Sequence, residues 1–303
     1  MKRIVYIPVL MLMTATLSAQ QFPFMEGYTM NPFGLSPAFA GITNSKTVFV
    51  DYRSDWSGLD GGPLTYQLSY NDKLNEKVGL GGRFIYDKTD IFKQTLLLGT
   101  YTYEVTISKK HTLNFGLSAG FFRNSIDFAK YYNDPDFMID QALYSYEKSK
   151  IKFASDVSVL YRTGPVKAGI LFSNIMFGTA KYRNTALSYK PLKNYLVHAS
   201  YLYELSDKWL IEPTVILRGG QSVPAQLEIA PAVTWNSRFW GTALYRTGGV
   251  FGVGLGGTVI DGLMLNYSYN MSSNVAISTF GSHQLTLGIG IFNLLGKGKV
   301  TTK

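Results

Sequence analysis

From Val48 onward the chain alternates apolar and polar residues with a period of two, in bands separated by Gly, Pro, Asn, Asp and Ser. Leu64, Tyr66, Leu68 and Tyr70 form one track, with Thr65, Gln67, Ser69 and Asn71 between them. Period two belongs to a strand whose two faces meet different surroundings. The pattern recurs over 48–52, 64–70, 78–86, 97–105, 113–121, 153–161, 166–172, 195–203, 209–217, 227–235, 239–245, 251–255, 263–271 and 285–291, which predicts about 14 strands, an even number as bacterial outer-membrane barrels have. Within these bands Asp51, Arg83, Glu104, Asp156, Lys167, Glu204, Glu212 and Glu228 all take the polar parity, and no charge takes the apolar one. Choosing a track by its apolarity depletes it of charge, so this is a check of consistency.

Loop length is a separate check. Barrels of the outer membrane have short periplasmic turns and longer external loops. With the chain starting on the periplasmic side, the even connections 72–77, 108–110, 162–165, 206–208, 236–238 and 260–262 are all short, whereas the odd ones include the long stretches 124–150, 174–192 and 272–282. A soluble sandwich or propeller would alternate too, but nothing in it would segregate loop lengths in this way. Trp56, Tyr86, Tyr161, Trp209 and Trp235 sit at band ends, as interfacial aromatic girdles do.

Composition narrows the class. Aromatic residues make up 15% of the chain and charged ones only 16%, with 30 glycines, too little charge to solvate the surface of an ordinary soluble protein. After the amino terminus no apolar run reaches the roughly 18 residues that a spanning helix needs. The first stretch, MKRIVYIPVLMLMTATLSA, has Lys2 and Arg3, an apolar segment from Ile4 to Met13 and small residues up to Ala19, the form of a secretory signal peptide. Cleavage after Ala19 would leave Leu17 at the third position before the cut, where small residues are preferred, and would lower the formal charge from +9 to about +7. The chain has no cysteine, so it has no disulfide framework, thiolate metal site or lipoprotein anchor. Nucleic acid is not an expected partner, because no basic run exceeds Lys109-Lys110.

Catalytic and metal-binding constellations are not found. His111, His198 and His283 have no partner at ligand spacing and read as girdle or lumen histidines, and the lumen parity of His198 does not suit a lipase pair on the outer wall. Asp134, Asp136 and Asp140 share a long external loop that lacks the spacing and central glycine of a calcium loop. The run GVFGVGLGG, Gly249 to Gly257, is glycine-spaced like a dinucleotide loop, yet its glycines alternate with Phe251, Val253 and Leu255, as on the inner face of a curved wall. Asp51, Arg53 and Asp55, with Arg83, are expected to form a ladder of salt bridges in the lumen. No cofactor and no metal is expected, and the chain is not expected to be an enzyme.

Residues 20–45 do not alternate and cannot be a membrane strand. Phe22, Phe24, Tyr28 and Phe33 would be exposed apolar groups if this segment hung in the periplasm, which favours an inward plug or a cap on the barrel base. The expected organisation is a signal peptide over 1–19, a plug or cap over 20–45, a barrel over 46–293 and a periplasmic tail over 294–303.

Two stretches carry a family resemblance. The segment from Gln20 to Gly41 resembles the opening motif of the PorP/SprF family of type IX secretion outer-membrane proteins at Gln21, Pro23, Tyr28, Asn31, Pro32, Pro37, Ala38, Ala40 and Gly41, with Ser36 and Phe39 replacing the usual Asn and Tyr. The stretch that opens the barrel is similar to the same family at Tyr52, Arg53, Trp56, Gly58, Gly61, Pro63, Thr65 and Ser69. Similar order continues through GLGGRFIYDK, GLSAGFFRNSID and GSHQLTLGI, with a departure at Asp90-Ile91, where family members often carry a glycine. The resemblance implies a role in secreting or surface-attaching a cognate adhesin or other cargo, in some members for gliding motility. The implied partners are periplasmic ring or anchor proteins and a secreted adhesin with a type IX carboxy-terminal signal, and the amino-terminal motif is the first candidate for binding them. The expectation is therefore an all-β, 14-stranded antiparallel transmembrane β-barrel of the outer membrane, with lumen charges at Asp51, Arg83, Glu104 and Asp156 and outer-membrane lipid around it. A solute porin or hydrophobic-substrate transporter is the alternative, since it shares that strand number.

Overall fold

A computed structural model describes residues 25–42, 46–127, 151–177, 180–182, 185–187, 194–220, 223–273 and 281–291. The wall strands are β1 (Thr47–Ser57), β2 (Leu64–Lys73), β3 (Val78–Thr89), β4 (Phe92–Ser108), β5 (His111–Ile126), β6 (Lys152–Thr163), β7 (Val166–Phe177), β10 (Tyr195–Tyr201), β11 (Tyr203–Ser206), β12 (Trp209–Gly220), β13 (Val223–Trp235), β14 (Phe239–Arg246), β15 (Val250–Ile260), β16 (Leu263–Ser272) and β17 (Gly281–Gly290). Each pairs antiparallel with its sequence neighbours, β1 pairs with β17, and β10 pairs with β12. The sheet is therefore closed. β10 and β11 are one wall strand interrupted at Leu202, whose N–H donates to the Pro165 carbonyl at 2.9 Å, so the barrel has 14 strands. The 14 alternating bands are these 14 strands. A small hairpin, β8 (Ala180–Tyr182) and β9 (Thr185–Leu187), stands within the 174–192 connection, where the alternation predicted only loop.

Closure satisfies the backbone without a free edge, and alternation then sorts side chains between outside and lumen. Leu117 is 51% exposed on the outer face while its neighbour Ser118 is fully buried inside. Aromatic pairs cross the outer face near both rims: Tyr52, Tyr66 and Tyr86 at 5.4 and 6.4 Å between successive ring centres, and Trp209, Trp235 and Phe239 at 6.4 and 5.9 Å. The outward histidines join them, with Tyr161 and His111 Nδ1 2.6 Å apart and Tyr267 and His283 Nδ1 likewise 2.6 Å apart. Two positions depart from the simple pattern. Glu204 has inward parity but is exposed on β11, and Ser155 has outward parity but is buried where the β6–β7 register shifts. At that shift Asn174 takes a φ of 53°, which turns its N–H onto Asp156 Oδ1 at 2.9 Å. A bulge here supplies a donor to a buried carboxylate.

Residues 25–42 form two 3-10 turns, Gly27–Thr29 and Pro37–Phe39, around a single helical turn, α1 (Pro32–Leu35), and lie inside the barrel. Asn31 caps α1 through its side chain at Gly34 N, and Pro32 occupies the first helical position, where a missing N–H is harmless. The plug descends through the lumen. Glu26 reaches Arg246 and Asn270 near the external ends of β14 and β16, while Gly41 lies against Asp72, Lys73 and Gly79 at the periplasmic ends of β2 and β3. The expected signal peptide, Gln21, Pro23, the acidic loop with Asp134, Asp136 and Asp140, and the expected 294–303 tail lie outside the described residues.

Candidate functional site

The lumen around the plug holds the charged chemistry of the described residues. Glu26 is the single charged residue between Gln20 and Ile42, and its side chain is 3% exposed. It lies 3.1 Å from Arg53 and 2.7 Å from Arg246, accepts from the Asn270 amide, and its own N–H donates to Gln284 Oε1 at 2.9 Å. Arg246 also donates to Glu228 Oε2 at 2.8 Å, and the Tyr28 hydroxyl donates to Glu228 Oε1 at 2.8 Å. Arg53 forks onto Asp55 at 2.8 Å. Burying such charges is costly unless each finds several partners, and here each does. Burial alone would raise the Glu26 carboxyl, but the two guanidiniums and the hydrogen bonds to it hold it down at about 2. Burial, with Glu228 beside it, pushes the Tyr28 phenol well up, so it stays a donor.

Neutral contacts complete the seat. Asn31 donates to Ser69 at 3.0 Å, Ala38 N to Ser158 Oγ at 2.9 Å, Gly41 N to Asn71 Oδ1 at 3.2 Å, and Thr102 Oγ1 to the Pro37 carbonyl at 3.1 Å. Opposite them the wall carries glycine. A Cβ on Gly79 would meet the Ala40 carbonyl, and one on Gly116 would meet the Ala38 nitrogen, so only glycine lets the plug backbone approach these strands so closely. On the other side Tyr28, Leu35 and Phe39 pack against Leu160, Leu171, Leu196, Ile216 and Ala230. The His198 ring lies 5.3 Å from that of Phe39.

The residues singled out in the sequence fall into three groups. Tyr28, Asn31, Pro37, Ala38 and Gly41 are buried against the wall, and Pro32 opens α1 beside them, so a partner reaching this motif would have to displace the plug. Tyr52 faces out and Arg53 faces in, while Trp56, Gly58, Gly61 and Pro63 build the external β1–β2 turn. Trp56, Gly58 and Gly61 have φ values of 53°, 101° and 77° there, and Asp90 takes 50° in the β3–β4 turn, the left-handed conformation that a glycine would adopt. Of the expected ladder of Asp51, Arg53, Asp55 and Arg83, only the Arg53–Asp55 pair forms. Asp51 is held by Thr286 at 2.6 Å and Gln67 at 3.1 Å, whereas Arg83 reaches across to Asp156 at 2.5 Å and to the Gly34 carbonyl at 3.4 Å. The two are not level on the wall: Asp51 stands opposite Gln67, which stands opposite Ile85, whereas Arg83 stands opposite Ser69, and Arg83 finds its carboxylate on β6, beyond β4 and β5. Glu104 pairs with Arg162 at 2.6 Å near the periplasmic rim.

Glu26 and Arg246 were not singled out by alternation, because one lies before the first strand and the other one residue past its band. A signal was present in that Glu26 is the sole charge in a segment headed for the lumen.

The type IX secretion system membrane protein family PorP/SprF matches residues 17–289. No curated protein matches the chain at a significant level. Among solved structures it is similar to the CymD monoaromatic hydrocarbon channel, with 10% identity over 87% of this chain and 91% of that one and a TM-score of 0.53. It is also similar to a Pseudomonas aeruginosa FadL homologue, with 8% identity over 89% and 95% of the two chains and a TM-score of 0.52. At these identities the likeness is one of fold: an outer-membrane barrel.

Proposed function

The chain belongs to the PorP/SprF family of type IX secretion system membrane proteins, and from that premise we propose that it works as a plugged outer-membrane barrel that holds partner proteins rather than passing cargo through its own lumen. The observation that carries this reading is the seat of residues 25–42. Two buried arginines on the wall grip the one carboxylate of the plug, and the cavity beside Leu35 and Arg83 is about 100 Å³, too small to hold a polypeptide. Cargo support then falls to surfaces outside the lumen: the short periplasmic turns for ring or anchor proteins, and the external loops for a secreted adhesin. The amino-terminal motif serves by keeping the barrel closed. Binding, not catalysis, is the activity in this reading.

The test has two parts. Loss of the chain from its host should leave the cognate adhesin off the cell surface while other outer-membrane proteins insert normally; unchanged surface display would refute the secretion role. Deleting residues 21–41 should leave partner capture intact but make the barrel conduct, and loss of capture without conductance would move the contact to the plug segment. Steady uptake of small solutes by the intact chain, with no partner retained, would favour the porin alternative.

A further inference from the structure

The periplasmic connections are not alike. Those at 164–165, 207–208, 236–238 and 261–262 carry Asp207, Lys208, Arg238 and Asp261, charges that cancel. Arg238 is in addition turned onto the Thr258 and Val259 carbonyls, both at 3.0 Å. The connections at 74–77 and 109–110 are neighbours, since β3 pairs with β4, and with Lys73 at the end of β2 they carry Lys73, Lys77, Lys109 and Lys110 against Glu76 alone. The nearby carboxylates have cations of their own: Asp72 has Lys46 at 3.2 Å and Glu104 has Arg162 at 2.6 Å. The same arc holds Leu74 and Ile107, 64% and 60% exposed. The strand beside it is open on one side. β3 begins at Val78, opposite Tyr103, whereas β4 and β5 pair on to Ser108 and His111. The Glu104 N–H donates to the Lys77 carbonyl at 2.7 Å, the last backbone hydrogen bond on that side among the described residues. Alternate residues of a strand turn their N–H and C=O to the same side, so Thr106 offers both to the open edge. Such an edge is a template for a further strand.

We propose that the notch bounded by the 74–77 connection and the Glu104–Ser108 edge of β4 receives an extended acidic segment of a periplasmic partner protein, which adds to β4 as a short strand. The proposal rests on the partner-holding reading above and names the surface used and the charge of what is held. Carboxylates along the segment would meet Lys77 at one end of the edge and Lys109 and Lys110 at the other, and its apolar residues would lie beside Val105 and Ile107. Position decides against lipid headgroups as the occupant. Tyr103 is the last outward aromatic of β4, and the strand runs on from it through Ser108. At about 3.3 Å per residue and a tilt of about 40°, that run carries the hairpin tip roughly 13 Å further out, whereas the headgroup layer is only about 5–8 Å deep.

The full chain in phosphatidylcholine nanodiscs, titrated against a fluorescent peptide of alternating Glu and Val, tests this by anisotropy. The peptide should bind, more weakly as salt is raised, and the same peptide with Lys in place of Glu should not. Lys77→Glu, Lys109→Glu and Lys110→Glu together should weaken binding about tenfold or more. Thr106→Pro removes the edge N–H while leaving the β5 ladder intact and should weaken it as well, whereas Lys208→Glu should not. Equal binding by wild type and the triple variant, or equal binding of the two peptides, would overturn the proposal. A triple variant that loses only a preference for phosphatidylglycerol nanodiscs would overturn it in favour of lipid. In host cells a photo-crosslinking residue at position 107 should give an adduct that maps to an acidic stretch of its partner and disappears in the triple variant; no adduct, or one that survives the charge reversal, would refute the site. Surface display separates the two readings. Full display of the adhesin by the triple variant, with none when the whole chain is deleted, would rule out this surface and leave the secretion role standing.

Discussion

The guanidinium of Arg246, the last residue of β14, lies 2.7 Å from the carboxylate of Glu26, 220 positions earlier in the chain. This contact, doubled by Arg53, joins the amino-terminal plug to strands from both halves of the barrel. The plug is thus part of the folded structure and not a tail resting in a pore.

Removing one partner from such a buried cluster leaves the others uncompensated. Glu26→Ala should weaken plug seating by about 3–5 kcal/mol, since Arg53 and Arg246 would remain buried. The measurement is protease sensitivity of the amino-terminal segment in detergent-purified protein. The barrel band should persist on a heat-modifiability gel while the segment is clipped, and wild-type protection in Glu26→Ala would count against the cluster as the anchor.

Acid should act through the same group. The Glu26 carboxyl lies at about 2 in the seated plug against an ordinary value of 4.5. Displaced, it binds protons more readily than when seated, so its contribution is full above pH 4.5 and is lost as the pH falls toward 2. That difference corresponds to about 3 kcal/mol. A fluorophore on the plug should report release across this window, and Glu26→Gln should abolish the part of the pH dependence that this residue supplies.

Glycine on the wall should matter only where the plug touches it. Gly79→Ala and Gly116→Ala place a methyl group on the plug backbone and should expose the amino-terminal segment to protease. Gly82→Ala faces outward, with its nearest neighbour 3.9 Å away, and should behave as wild type. Equal protection in all three would show that the plug adapts.

Lipid contact sets the cost of charge on the outer face. Leu117→Arg should lower folding stability in vesicles by about 2–4 kcal/mol if the residue lies near the bilayer midplane. Leu74→Arg, 64% exposed in a periplasmic turn, should cost almost nothing. A urea titration of refolding into lipid vesicles reads both, and matching midpoints would contradict the membrane assignment.

Alternation alone reached the wall because a lipid-facing barrel imposes one rule on every strand: apolar outward, polar or small inward. Leu64 to Asn71 obey it without reference to any other part of the chain, and the short even-numbered connections place the two ends of each hairpin. Glu204 and Ser155 escaped the rule because a strand end outside the membrane and a shifted register each remove the surroundings that enforce it.

What the sequence determined by itself, then, is the 14-stranded wall, its inside and outside, and a non-strand segment too apolar to hang in water. Only the tertiary structure decided which charges meet. Alternation states which face a side chain takes, but pairing across a lumen depends on closure, register and the path of the plug. For that reason Arg83 finds Asp156 on a distant strand, Asp51 is served by neutral donors, and Glu26 is gripped by Arg53 and Arg246.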